Sequence, residues 1–579
     1  MNCPSRNDDT LDHPSWNQSP PPFSPDTTTR NDFNGIANAR VHRKHASNTG
    51  SAAGDDSMAI DPRPHSVEDQ DPAIGKQPGG EVIAAASGCE PPSRTRGSSR
   101  RPFQNFSFSS SARHCARSLA KFSRFIGPGF LIAVAYIDPG NYATDVGAGA
   151  QFKFALLFVI LMSNLFAVLL QSLCIKLGTV TGLNLAENCR EHLPRWLVIV
   201  LYIMAESAII ATDIAEVVGS AIALNLLLHI PLIAGCAITL VDVFFLLLFW
   251  RPNGSMMGLR LFEFFVMALV LGVVICFCIQ LALIKNQPIG EVFRGYLPSS
   301  AVVQSEGLYQ SCGILGATVM PHSLFLGSGV VQSRLKDFDV TAGYVESTVP
   351  LGSNGGRVEY RPTLHAIRGC MKYSIIELAL SLFTFALFVN SAILIVAGSS
   401  LYNVPGGTDA DLFGIHDLLS SSVSPAAGTI FALALLLSGI SAGIVCTMAG
   451  QMVSEGMLNW SIQPWLRRLI TRAISIIPSI IIAAAVGKDG LDRTLTASQV
   501  CLSVILPFVS APLIWFTCFS KYMSVPMQQS TEGEGEGDVA VEQVSMRNHW
   551  FTSLIAGLVW LLIVVMNVAL LALVGMGKA

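Results

Sequence analysis

The residues with the most chemistry to offer sit where two apolar stretches are interrupted. Asp138-Pro139-Gly140-Asn141 falls inside GPGFLIAVAYIDPGNYATDVGAGA, and Met320-Pro321-His322 falls inside GLYQSCGILGATVMPHSLFLGSGVVQ. A proline within a helix removes one backbone donor and crowds the preceding turn, and glycine weakens the helix further. Pro139 therefore leaves the carbonyl of Ala135 without its donor, and Pro321 does the same to Ala317. Each released carbonyl needs water, a side chain or a cation. Beside them stand the Asp138 carboxylate, the Asn141 amide oxygen and the Met320 thioether. One anionic oxygen, several neutral oxygens and one soft sulfur make a cage for a divalent ion. Thioether sulfur is a poor ligand for Ca²⁺ or Mg²⁺ but suits softer first-row metals. One such proline alone would only kink a membrane helix, and one such methionine alone would only pack. Their coincidence at both interruptions carries the reading.

A second constellation lies in LVIVLYIMAESAIIATDIAEVVGSAIAL, where Glu206, Asp213 and Glu216 are spaced by seven and three and share one helical face. Three ionised acids in a membrane helix would cost roughly 7–10 kcal/mol, while its Leu, Ile, Val and Met residues return only about 4–7 kcal/mol. The acids must line a wet cavity, pair with a base or be protonated, and each option suits a proton path. Arg472 in LRRLITRAISIIP is a candidate partner, and His322 beside the second interruption is a group able to titrate near neutral pH. A structural buried ion-pair network is the bland alternative.

These residues need a scaffold, and the composition says which kind. The 579 residues are 51% hydrophobic and only 13% charged, a deficit of charge that points to lipid. The net charge of −3 provides no basic excess for nucleic acid. The cysteines form no secreted framework and no CxxC pattern. Most, Cys446 among them, lie in apolar spans, where a thiol behaves as a small hydrophobe.

Eleven spans are expected, near 125–149, 154–176, 196–220, 231–250, 262–284, 307–334, 371–397, 426–456, 468–487, 495–517 and 552–576. They divide the chain into six stretches. Residues 1–120 form a polar, disordered cytoplasmic tail, and 121–335 carry the first five membrane helices and the broken sixth. A charged cytoplasmic loop at 336–368 precedes helices seven to ten at 369–520. A polar acidic loop (Glu532, Glu534, Glu536, Asp538, Glu542) at 521–550 precedes the last helix at 551–579. With the tail inside, sixteen Lys and Arg residues fall on the inner side and six on the outer, so the N-terminus is expected to be cytoplasmic. The interruptions fall in spans one and six. Five spans per half is an odd number, so the second half lies inverted, and matched breaks in inverted halves point to a midplane binding site.

DPGN, MPH, AESAIIATDIAEVVGSAIA and GISAGIVCTMAGQMVSEGML together resemble the Nramp family of proton-coupled divalent metal transporters, over nearly all of residues 120–517. MPHSLFLGS and the Ser/Pro-rich tail are most similar to its fungal branch. The resemblance implies an all-α polytopic membrane protein of LeuT-type fold, with two inverted five-helix repeats plus an eleventh helix. It implies proton-coupled movement of Mn²⁺ and Fe²⁺, with Co²⁺ and Cd²⁺ beside them, toward the cytoplasm. It assigns metal-ligand roles to Asp138, Asn141 and Met320, with carbonyl help from Ala317 and Ala135. Gln499 matches a position that approaches the ion, although a polar residue there could also simply tie two helices together. Glu206, Asp213, Glu216, Arg472 and His322 match the proton pathway. Many relatives carry a second histidine five residues after His322, where this chain has Gly327.

No catalytic constellation and no resident cofactor are expected, since metal and proton are cargo. The implied partners are those ions, the bilayer, and sorting or ubiquitin-ligase adaptors on the tail. A plasma, vacuolar or endosomal membrane fits equally. An amino-acid carrier of the same fold would not need Asp138, Asn141 and Met320 together. A membrane sensor of this family would append a large soluble C-terminal domain, and a channel would show a filter sequence.

Overall fold

The computed structural model describes residues 127–239, 256–284, 287–345, 360–404, 412–459, 464–485, 488–526 and 543–577. The polar tail, the glutamate-rich stretch and the second half of the fourth span lie outside these residues. Every expected span holds a helix. The first is split into α1 (Pro128–Val134) and α2 (Pro139–Phe152), and the second is α3 (Leu157–Thr181). A short surface helix, α4 (Leu185–His192), leads to the third span, α5 (Arg195–Leu228). The fourth is described only over α6 (Leu232–Ile238), and the fifth is α7 (Met256–Leu283). After the short α8 (Ile289–Arg294) the sixth span is split into α9 (Ser305–Thr318) and α10 (Pro321–Thr341).

The seventh span is a continuous rod of α11 (Leu364–Ser381), one π turn and α12 (Leu387–Ser400). Then follow α13 (Leu412–Ser422), α14 (Pro425–Leu458), α15 (Pro464–Ala485), α16 (Lys488–Cys518) and α17 (Trp550–Gly575). Several helices run further than their apolar stretches; the seventh begins at Leu364 because polar residues of the expected loop continue its first turns. One small departure from an all-helical fold is an antiparallel pair, β1 (Ser524–Pro526) with β2 (Gln543–Ser545), which joins the ends of the acidic loop.

The packing repeats itself with a shift of five spans. The second half of span one, α2, packs on span seven (α12), and the second half of span six, α10, packs on span two (α3). Span three (α5) packs on span ten (α16), just as span eight (α14) packs on span five (α7). Exchanging span n for n+5 maps these contacts onto one another, the signature of two five-helix repeats.

The broken spans lie deepest. Every residue of α2 from Pro139 to Ala150 except Gly147 is buried. The tip of α1 is held from three sides. Glu377 of α11 accepts from the backbone N–H groups of Gly127 and Gly129 at 2.6 and 3.1 Å, which satisfies donors that a helix start leaves open. Beside it, Arg334 of α10 pairs with Glu263 of α7 at 2.8 Å, both nearly inaccessible.

Candidate metal site at the two helix breaks

The break in span one is a capped helix start. Asp138 is the N-cap of α2, Pro139 takes the first helical position where no N–H is needed, and Asp138 Oδ1 accepts from the Asn141 N–H at 2.9 Å. This explains locally why DPGN ends one helix and begins another. It uses only one carboxylate oxygen; Oδ2 is buried with no hydrogen-bond donor among the described residues. The carbonyls that the break releases are partly served from elsewhere in the fold. Asn390 Nδ2 donates to Tyr136 O at 3.1 Å, and Ser438 Oγ donates to Ile137 O at 2.7 Å. Ala135 closes α1 at its last turn.

The break in span six is built alike, with Met320 as N-cap of α10 and Pro321 in the first helical position. The two breaks meet. Asn141 Nδ2 donates both to Asp138 Oδ1 at 2.7 Å and to Ala317 O at 3.2 Å, so one amide joins carboxylate and carbonyl across the repeats. Its own Oδ1 faces Asn390 Nδ2 at 3.4 Å. Gln499 reaches the same place from α16. A β-carbon at Gly140 would overlap its side-chain amide, and its Oε1 is buried without a partner among the described residues. Asp138, Asn141, Ala317, Met320 and Gln499 are all 0% exposed, and Ala135 is 2% exposed, so the meeting point of the breaks is shut off from solvent.

His322 is buried on α10, with Nδ1 3.4 Å from Thr212 Oγ1 of α5. It thus links the second break to the helix that carries the acids. Asp213 and Glu216 are buried on one face of α5, as their spacing requires, and Glu206 is half-buried further along. Their face meets α14, where one ligand atom each of Asp213, Glu216 and Cys446 lie within 4.8 Å of one another. Cys446, read from its apolar span as a small hydrophobe, in fact neighbours two acids. The helix carrying Arg472 packs on α5, while the Arg472 side chain lies outside the described residues.

Gly327 has a structural cause. A β-carbon there would overlap Gln171 Oε1 and stand 3.5 Å from Cys174. Gln171 uses its nitrogen to donate to Tyr136 OH at 3.0 Å, Ser323 O at 3.0 Å and Ser323 Oγ at 2.9 Å. A glutamine network joining the break in span one to α3 and α10 fills the space beside Gly327. Asn390, Ser438, Gln171 and Ser323 were not reached from the sequence. Their only signal is a lone polar residue in an apolar run, as in FVNSAILIV.

The family described as Natural resistance-associated macrophage protein-like (Nramp) matches residues 129–530. The manganese transporter pdt1 of Schizosaccharomyces pombe is 54% identical over 470 residues, covering 81% of this chain and 89% of that protein. The iron transporter SMF3 of Saccharomyces cerevisiae is 54% identical over 409 residues, covering 70% and 84%. Among solved structures, the Eremococcus coleocola manganese transporter in complex with an aromatic bis-isothiourea compound superposes with a TM-score of 0.62 at 32% identity. It covers 78% of this chain and 86% of that one.

Proposed function

This chain belongs to the Nramp family, and from that premise we propose that it carries Mn²⁺ and Fe²⁺, with Co²⁺ and Cd²⁺ as further substrates, together with protons toward the cytoplasm. The observation that carries this reading is the meeting of Asp138, Asn141 and the Ala317 carbonyl at the joined breaks, with Met320 closing the second. In this geometry the Asn141 amide nitrogen sits between two oxygens that would otherwise face a cation. Turning the amide by half a rotation presents Oδ1 in its place, so an arriving ion converts the donor into a ligand. Asp138 Oδ2 and the carbonyls of Ala317 and Ala135 supply further oxygen, Gln499 adds an amide oxygen, and the Met320 sulfur disfavours Ca²⁺ and Mg²⁺.

Proton movement runs beside this site rather than through its ligands. His322 leads from the second break to Thr212, and the α5 face carries Asp213 and Glu216 onward, with Glu206 and Arg472 completing the route. The N-terminus is cytoplasmic by the excess of Lys and Arg in the inner loops. The membrane is a plasma, vacuolar or endosomal one, and the Ser/Pro-rich tail is the docking ground for sorting or ubiquitin-ligase adaptors. Alternating access follows from the repeat architecture, with the halves rocking about a fixed site.

Purified protein in liposomes, with a divalent-sensitive dye and a pH probe inside, tests the reading. Mn²⁺ entry with internal acidification is expected, and Asp138→Ala should lower the entry at least about 100-fold, equivalent to roughly 2.7 kcal/mol. No Mn²⁺ entry, or undiminished entry in Asp138→Ala, would overturn it.

A further inference from the structure

Seven residues beyond Asp138 on the same face of α2 stands a carboxylate that the site at the breaks does not use. Asp145 is 0% exposed, and neither of its oxygens has a hydrogen-bond partner among the described residues. Asn141, Asp145 and Gly149 recur every fourth residue and form one stripe of α2, which runs along α12. At one end of the stripe Asn390 meets Asn141. At the other, a β-carbon on Gly149 would stand 2.6 Å from the carbonyl of Leu394. Ser391 lies in the α12 stretch between those contacts, 5% exposed, and its Oγ is likewise buried without a partner among the described residues. The segments α2, α9 and α12 contain no Lys, Arg or His. A buried carboxylate among such neighbours is costly as a bare anion and calls for a cation.

We propose that Asp145, with Ser391, forms a second station for the divalent cargo, about 10 Å along α2 from Asp138 toward the outer face. This rests on the reading that the chain carries divalent metal past Asp138. The station offers oxygen alone. An ion held there keeps part of its hydration and is bound more weakly than at the site with sulfur, so it moves on to Asp138 rather than stalling.

The test is Mn²⁺ uptake by the full chain in liposomes. Asp145→Asn, which preserves shape, should raise KM for Mn²⁺ about fivefold or more with kcat within about twofold, and Asp145→Glu should recover most of the loss. Ser391→Ala should raise KM about twofold to threefold, and it decides the matter if the aspartate variant does not yield monodisperse protein. An unchanged KM overturns the station. So does an unchanged KM with a shifted pH profile, which would give Asp145 a proton instead of a metal ion. Absence of uptake by the unsubstituted chain strikes the transport reading itself. Intact uptake with indifferent Asp145 and Ser391 variants strikes only this inference.

Discussion

The sixth span and the last one are opposite answers to the same solvent. The most apolar part of Ser305–Thr341 is 94% buried within the protein, whereas that of Trp550–Gly575 is only 22% buried. The buried span is nevertheless the less apolar of the two. In water the order would be reversed, because burial there selects for apolar side chains. In a bilayer the outward face must be apolar, while the inward one is free to carry glycine, serine and ligand atoms. Low hydropathy in a deeply buried membrane helix therefore marks function. The least buried of these spans, α17, contributes none of the site residues.

Substitutions can break or sharpen this contrast. The largest effect is expected at Gly316, where a β-carbon would overlap the carbonyl of Gln499 and stand 2.7 Å from the Ser503 amide. Backbone cannot step aside as a side-chain tip can, so Gly316→Val should cost about 3 kcal/mol or more of stability. It should also abolish transport, read as loss of monodisperse protein and of Mn²⁺ uptake. Met320→Ala should fold, yet lower Mn²⁺ and Cd²⁺ transport about tenfold and admit Ca²⁺, measured by competition uptake. If Ca²⁺ stays excluded, sulfur is not the filter. Val565→Ala on α17, where Val565 is 55% exposed toward lipid, should change neither uptake nor stability by more than about 0.5 kcal/mol. A large loss there would mean that α17 belongs to the moving machinery.

The breaks were legible because proline and an acid in an apolar run violate helix and membrane rules in a way that names the exposed carbonyls. The acid face of α5 was legible from spacing alone. What escaped were the polar residues that stabilise the broken ends from a distance. Asn390 is 254 residues from the Tyr136 carbonyl it serves, and Ser438 is 301 from that of Ile137. Nothing local in FVNSAILIV tells which orphan its asparagine will meet. The clamp on the tip of α1 was hidden for the same reason. Arg334 read only as an inner positive charge, and Glu263 and Glu377 are single acids in two different spans. Gly327 looked like a missing histidine from the sequence; in the fold it is the space that Gln171 needs.

The central claim is that oxygen from both breaks and sulfur from one converge on a single ion. X-ray absorption of the purified protein loaded with one equivalent of Cd²⁺ reads that ligand shell directly. The predicted result is one sulfur scatterer among several oxygens, with the sulfur lost in Met320→Leu while the oxygens remain. A shell of oxygen and nitrogen alone in the unsubstituted protein, or a sulfur signal that survives Met320→Leu, would contradict it.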